Sequence, residues 1–220
     1  MERPAYKSVF ISDVHLGTKQ CKAKKLLTFL NDNDIKYDYL FLVGDIIDGW
    51  ALRRRHYWPK SHTEVLRRIL KLSERCKVIY VPGNHDEFVR PFLKEDMQIG
   101  SINIVDSYEY EGVYVTHGDR FDWTMRIPTP LLNFLAHIWD YIPHSDSQSS
   151  FTDIMYKWMG TERNIVRWVQ RKGYKSCLTG HTHSPKIRDS YMNCGDWVSN
   201  CSYIVHHEND TWELKFYDQV

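Results

Sequence analysis

Phe10-Ile11-Ser12-Asp13-Val14-His15 is an apolar, β-rich run that stops on an aspartate and a histidine two residues apart, and four later stretches repeat its design. They are Phe41-Leu42-Val43-Gly44-Asp45-Ile46-Ile47-Asp48, Val81-Pro82-Gly83-Asn84-His85-Asp86, Val115-Thr116-His117-Gly118-Asp119 and Leu178-Thr179-Gly180-His181-Thr182-His183. In open α/β sheets ligands gather beyond the carboxyl ends of the strands. A fold that carries these five endings to one point is therefore the strongest constraint the chain offers.

The pattern between the runs agrees. Residues 8–12 read as a buried strand, and Leu26, Leu27 and Leu30 recur at helical spacing between Lys22 and Leu30. A strand is expected from Tyr39 to Val43, with Gly44 turning the chain after it. Trp50 to Lys60 reads as a loop carrying Arg53, Arg54, Arg55, His56, Tyr57 and Trp58. A helix from Ser61 to Arg75 follows, with Ser61 as N-cap, Glu64 completing a capping box and Val65, Leu66, Ile69, Leu70 and Leu72 on one face. Further strands are expected at Val78–Val81, Ile102–Val105, Val113–Thr116, Ser176–Thr179, Ser190–Asn193, Ser202–His206 and Thr211–Tyr217. Alternating strands and helices argue for a single α/β domain over 1–220. From 121 to 173 no strand pattern occurs. Two helical patterns flank Ser145-Asp146-Ser147-Gln148-Ser149-Ser150, which predicts a helical insertion within the domain.

With 220 residues the chain buries a core without disulfides. Its 29 basic and 28 acidic residues leave a formal charge of +1, so no global field favours a nucleic-acid partner. Five cysteines, odd in number and without a C-x-x-C pair, fit reduced thiols in a cytosolic protein. The first residues, Met1 to Lys7, lack the apolar core of a secretory signal, and no run approaches the ~18 apolar residues of a membrane span. A cytoplasmic location follows as the expectation.

Asp13, His15, Asp45, Asn84, His117, His181 and His183 supply three oxygen ligands and four imidazoles. Seven donors exceed one tetrahedral ion but suit two ions sharing a carboxylate. Mixed imidazole and oxygen donors without thiolate fit two divalent ions, Mn2+ first, with Fe2+ or Zn2+ served by the same set. Two such cations ~4 Å apart supply what phosphoryl hydrolysis needs: an acidified water, a grip on phosphate oxygens and compensation of developing charge.

Asp13-x-His15, Gly44-Asp45-x-x-Asp48, Gly83-Asn84-His85-Asp86, His117 and Gly180-His181-x-His183 together resemble the signature of the calcineurin-like metallophosphoesterases. The resemblance implies a two-sheet αββα sandwich flanked by helices. It implies that Asp13, His15, Asp45 and His183 hold one metal and Asp45, Asn84, His117 and His181 the other, with Asp45 bridging. His85 takes the position of the family's non-ligand histidine, donating a hydrogen bond or proton to the phosphate or leaving oxygen, and Asp48 orients it. Many members carry Arg directly after the second aspartate of Gly-Asp-x-x-Asp, where this chain has Gly49-Trp50. Arg53, Arg54 and Arg55 are then the nearest guanidinium groups for substrate phosphate.

Within that family the length, Gly44 to Trp50, His117-Gly118-Asp119, Gly180-His181-Thr182-His183-Ser184-Pro185 and the insertion resemble the UDP-2,3-diacylglucosamine pyrophosphatases of lipid A biosynthesis. What this implies is a UDP-sugar lipid substrate cleaved to UMP and a lipid sugar phosphate. It also implies an insertion acting as a lid over acyl chains, and peripheral contact with the inner membrane. Phe134, Leu135, Ile138, Trp139, Tyr141, Met155, Tyr156, Trp158 and Trp168 supply its apolar surface. The well-studied branch of that group has Arg where this chain has His85, which leaves a general phosphodiesterase or phosphatase of small phosphoesters as the alternative. Gly195-Asp196-Trp197 also resembles this group and is expected near the site.

Overall fold

A computed structural model describes residues 5–32, 35–95, 98–122 and 160–218. Among them two sheets stack face to face. In the first, β1 (Ala5–Ile11), β2 (Lys36–Val43), β3 (Lys77–Val81) and β5 (Ile102–Ile104) run parallel, while β4 (Gln98–Ile99) joins β5 antiparallel. On the other edge β11 (Ser202–His207) pairs antiparallel with β1, and β12 (Trp212–Phe216) with β11, giving the order β12-β11-β1-β2-β3-β5-β4. The second sheet has the order β6-β7-β8-β10-β9. There β7 (Val113–Val115), β8 (Ser176–Thr179) and β10 (Tyr191–Asn193) are parallel, with β6 (Tyr108–Tyr110) and β9 (Lys186–Arg188) as antiparallel edges.

Alternation along the central strands explains the layering. On β1, Val9 and Ile11 face a core shared with Leu40, Leu42, Val78 and Tyr80, closed by Leu26 and Leu30 of α1 (Ala23–Asn31) and Val65 and Ile69 of α3 (Lys60–Leu72). Phe10 points the other way, with Phe41, Val43, Ile79 and Val81, into the space between the sheets. Val113, Val115, Leu178 and Met192 meet it there. On the far side of the second sheet Ile165 and Val169 of α4 (Thr161–Arg171) cover Cys177 and Tyr191. The order is helices, sheet, sheet, helix: an αββα sandwich. A strand buried on both faces reads as a continuous apolar run, which is how β1 to β3 look in the sequence.

Three local expectations change. Trp50–Lys60 is not all loop: α2 (Gly49–Arg54) forms because Asp48 Oδ1 accepts the Ala51 N–H at 2.7 Å and caps it. The capping box at Ser61 is not used. The next helix begins at Lys60 with Pro59 as N-cap and no side-chain cap, leaving Ser61 within the first turn. Strands β4, β6 and β9 fall where none was expected. Of the helical insertion over 121–173, residues 123–159 lie outside the described residues, as do the apolar lid residues other than Trp168; α4 is its described end. Among the described residues no helix is long and apolar enough to cross a membrane.

Candidate metal centre

All five stretches emerge at the carboxyl ends of parallel strands β1, β2, β3, β7 and β8, and their backbones are stitched together. Asp13 N–H donates to Gly44 C=O at 3.0 Å and His15 N–H to Asp45 C=O at 2.9 Å, extending the β1–β2 pairing beyond the strands. Gly180 N–H donates to His117 C=O at 3.0 Å. Asp86 fixes the β3 loop by accepting from Ile46 N–H at 2.8 Å, from Gly83 N–H and from the Tyr80 hydroxyl.

Once past the strands the chain turns sharply to aim its side chains. Asp13, His15, Asp45, His181 and His183 all have positive φ, between 51° and 66°. Left-handed backbone on non-glycine residues costs on the order of 1–3 kcal/mol each and persists where surrounding structure over-determines it. Its concentration on ligand-type residues is what turns them toward one point. The glycines beside them make room: a Cβ on Gly180 stands 2.0 Å from Ser12 Oγ and 2.3 Å from Asp13 Oδ2.

Each carboxylate is anchored by one oxygen and presents the other. Asp13 Oδ2 accepts from Ser12 Oγ and from His181 N–H at 3.0 Å, while Asp13 Oδ1 lies 3.2 Å from His183 Nε2 and 3.9 Å from His15 Nε2. Asp45 Oδ1 accepts the His85 N–H at 2.8 Å, while Oδ2 lies 3.2 Å from His117 Nε2, 3.9 Å from His15 Nε2 and 4.0 Å from His85 Nε2. Three overlapping donor groups result: Asp13 with His15 and His183, Asp45 with His15 and His85, and Asp45 with His117 and His181. Asp45 is common to the last two. Asn84 is 5% exposed at the β3 end.

The imidazoles are held from behind. His15 Nδ1 pairs with Asp48 Oδ2 at 3.0 Å, His117 Nδ1 with Val43 C=O at 2.9 Å, and His181 Nε2 with Asp122 Oδ2 at 2.8 Å. His183 Nδ1 faces Asp196 Oδ2 at 3.6 Å. His85 Nδ1 is 3.0 Å from the same Asp48 oxygen, off the hydrogen-bond axis, and the Trp50 ring packs on His85 with centroids 4.2 Å apart.

Charge confirms what the geometry prepares. Burial alone depresses the His117 imidazole, but Asp45 outweighs it and pushes the group up to about 10. His183, also opposed by burial, is pushed up to about 11 by Asp13 and Asp196. Against their own burial, Asp45 and Asp13 are held below the ordinary carboxylate range, chiefly by His117 and His183 respectively. His85 is raised, burial being overcome by Asp48 and Asp45.

The donor set fits a pair of divalent cations. Asp13 Oδ1, Asn84 Oδ1 and His117 Nε2 are buried without a hydrogen-bond partner. An unsatisfied buried polar atom costs on the order of 1–3 kcal/mol. Asp13 and His117 belong to different donor groups, and no thiolate is in either.

The family profile described as calcineurin-like phosphoesterase matches residues 6–185. The chain belongs to that family. It is a metal-dependent hydrolase with an α/β two-sheet fold, in a family whose members use a dinuclear metal site. A UDP-2,3-diacylglucosamine hydrolase of Shewanella sp. (strain MR-4) is 24% identical over 90% of this chain and 93% of its own length. One of Vibrio cholerae serotype O1 (strain ATCC 39541) is 22% identical over 94% of this chain and 96% of its own. Among solved structures, vacuolar protein sorting 29 of Cryptosporidium parvum aligns with a TM-score of 0.45 at 12% identity, covering 94% of each chain.

Of the arginines expected to meet substrate, all three are exposed on or just after α2. Arg53 alone lines a cavity of about 660 Å3, with Ile47, Leu52, His56 and Trp58. Arg90, which the sequence did not single out, donates to both oxygens of Asp119 at 2.9 and 3.1 Å and to Pro82 C=O, clamping the β3 loop to the β7 loop. Asp122 and Trp50 were also missed as site residues. Gly195-Asp196-Trp197 does lie at the site: Trp197 N–H donates to Asp13 C=O at 3.0 Å.

Proposed function

We propose that this phosphoesterase hydrolyses the diphosphate of UDP-2,3-diacylglucosamine or a related UDP-sugar lipid, releasing UMP and a lipid sugar phosphate. Asp13, His15, Asp45 and His183 hold one divalent cation, and Asp45, Asn84, His117 and His181 the other, with Mn2+ first and Fe2+ or Zn2+ served by the same donors. When bound, the pair acidifies the attacking water and grips phosphoryl oxygens. The observation that carries this reading is Asp45 Oδ2, facing His15 of one donor group and His117 of another while Oδ1 is tied to the His85 N–H.

The chain's own groups do the rest. Water attacks phosphorus, the P–O bond to the departing phosphate breaks, and that oxygen needs a proton or a strong donor. His85 Nε2, 4.0 Å from Asp45 Oδ2 at the centre, is that donor. Asp48 behind it favours the charged ring, and Trp50 packs on its face. Arg53, at the wall of an apolar cavity beside α2, suits an amphiphile whose anionic part meets the guanidinium. The names of relatives matched along nearly their whole length favour the UDP-sugar lipid. An amphiphilic substrate of this kind also brings the protein to a membrane surface as a peripheral visitor.

A second reading, a general phosphodiesterase of nucleotides or other small phosphoesters, is favoured by His85, whose raised pKa serves any phosphoester. Purified protein with Mn2+ decides between them. We expect UMP release from the acylated UDP-sugar to exceed nitrophenol release from a generic diester by far. Equal or inverted rates remove the lipid substrate and leave the second reading.

A further inference from the structure

We propose that Asp122 is a positioning residue for His181, fixing that imidazole with Nε2–H toward the carboxylate and Nδ1 toward the metal pair. The inference rests on the metal centre of the proposed function and not on its substrate.

Asp122 follows the single 3-10 turn Asp119–Phe121 that comes after the His117 loop, and its backbone N–H closes that turn on Asp119 C=O at 3.0 Å. Its side chain is thereby directed inward and is 2% exposed. A buried carboxylate is costly unless it is paired. Here Oδ2 lies 2.8 Å from His181 Nε2, a distance typical of charge-assisted hydrogen bonds. An ionised carboxylate only accepts, so Nε2 carries the hydrogen. A cation can then be met only by the lone pair of Nδ1.

His181 is thereby reversed relative to the other three imidazoles. His15, His117 and His183 turn Nδ1 toward Asp48, Val43 C=O and Asp196, which leaves Nε2 for a cation. His181 belongs to a group with Asp45 and His117, and without Asp122 it can flip its ring or change tautomer, either of which takes the free nitrogen away from that group. Asp122 selects the productive state. Outer-sphere partners of this type are worth about 10–100-fold in metal affinity.

The test compares wild type, Asp122→Asn and Asp122→Ala by Mn2+ titration calorimetry and elemental analysis after desalting. Wild type binds two ions per chain. In Asp122→Asn, which keeps shape and an acceptor oxygen but loses the charge, we expect one ion retained with unchanged affinity and the other weakened about 10–100-fold. Asp122→Ala weakens the same ion further. A role confined to packing lowers the melting temperature without splitting the two affinities. Equal affinity for both ions in a folded Asp122→Asn variant overturns the inference, whereas a wild type that binds no pair overturns the metal centre beneath it. Should the variants not fold, two-bond 1H–15N correlations on the Zn2+-loaded wild type decide: His181 must show a protonated Nε2, and a protonated Nδ1 overturns the assignment.

Discussion

Asp48 Oδ2 lies 3.0 Å from His85 Nδ1, and the other oxygen of the same carboxylate caps α2 through the Ala51 N–H. The residue that starts the helix also favours the charged form of the imidazole proposed to assist the leaving group. Against its own burial Asp48 is held well below the ordinary carboxylate range by His15 and His85. His85→Ala should keep both metals while turnover falls about 10²–10⁴-fold, the usual scale for a general acid or its equivalent. Rates with Mn2+ and metal content measured on one preparation check this; normal turnover contradicts the role. Asp48→Asn is the less specific variant, because its amide can still cap α2 but loses the charge that faces both His15 Nδ1 and His85 Nδ1.

Asp45 is the proposed shared ligand, so its removal should differ in kind from that of any other donor. Asp45→Ala should lose both ions and all measurable turnover, whereas His183→Ala or His117→Ala should each strip mainly the ion on its own side. Elemental analysis after desalting separates these outcomes. One ion retained in Asp45→Ala shows that the carboxylate does not bridge.

Gly83, part of the Gly83-Asn84-His85-Asp86 motif, has no room for a side chain. A Cβ there stands 2.2 Å from Asp45 Oδ1 and 2.6 Å from His117 Cδ2. Neither ring nor carboxylate has room to retreat, since His117 is fully buried and Asp45 is 2% exposed. Gly83→Ala should cost about 1–3 kcal/mol of stability from overpacking. It should also displace a donor of each ion, which thermal melts with and without Mn2+ reveal as loss of metal-dependent stabilisation.

What the sequence made legible follows from burial. β1, β2 and β3 are covered on both faces, so Phe10 is as apolar as Val9 and Ile11 and the run is continuous. β4, β6 and β9 are two or three residues long at sheet edges, too short for any period to declare itself. α2 was missed because its cap, Asp48, reads as a site residue and the arginines after it read as a loop. Ser61 misled in the opposite direction: its spacing to Glu64 imitates a capping box, yet Pro59 and Lys60 had already begun the helix. At the site, the ligand types stand where apolar strand runs stop and could be recognised locally. Asp122 could not, because its partner His181 lies 59 positions away and nothing in the local pattern announces the pairing.

His62 supplies a pH test at a group that is not itself a ligand. It projects from α3 with 2% exposure, and its Nδ1 accepts the Gly17 N–H at 3.0 Å, holding the loop that follows His15. Burial lowers its pKa below the ordinary value of about 6.5. The unfolded chain therefore binds a proton there more readily than the folded one. Its contribution is fully present above pH ~6.5 and is lost as pH falls through that value toward the depressed folded pKa, because protonation removes the lone pair that Gly17 needs. Melting temperatures of the metal-free protein, taken from pH 7.5 down to 5, should fall more steeply for wild type than for His62→Gln. Parallel curves show that the ring does not sense pH, and a shallower wild-type curve reverses the predicted sign.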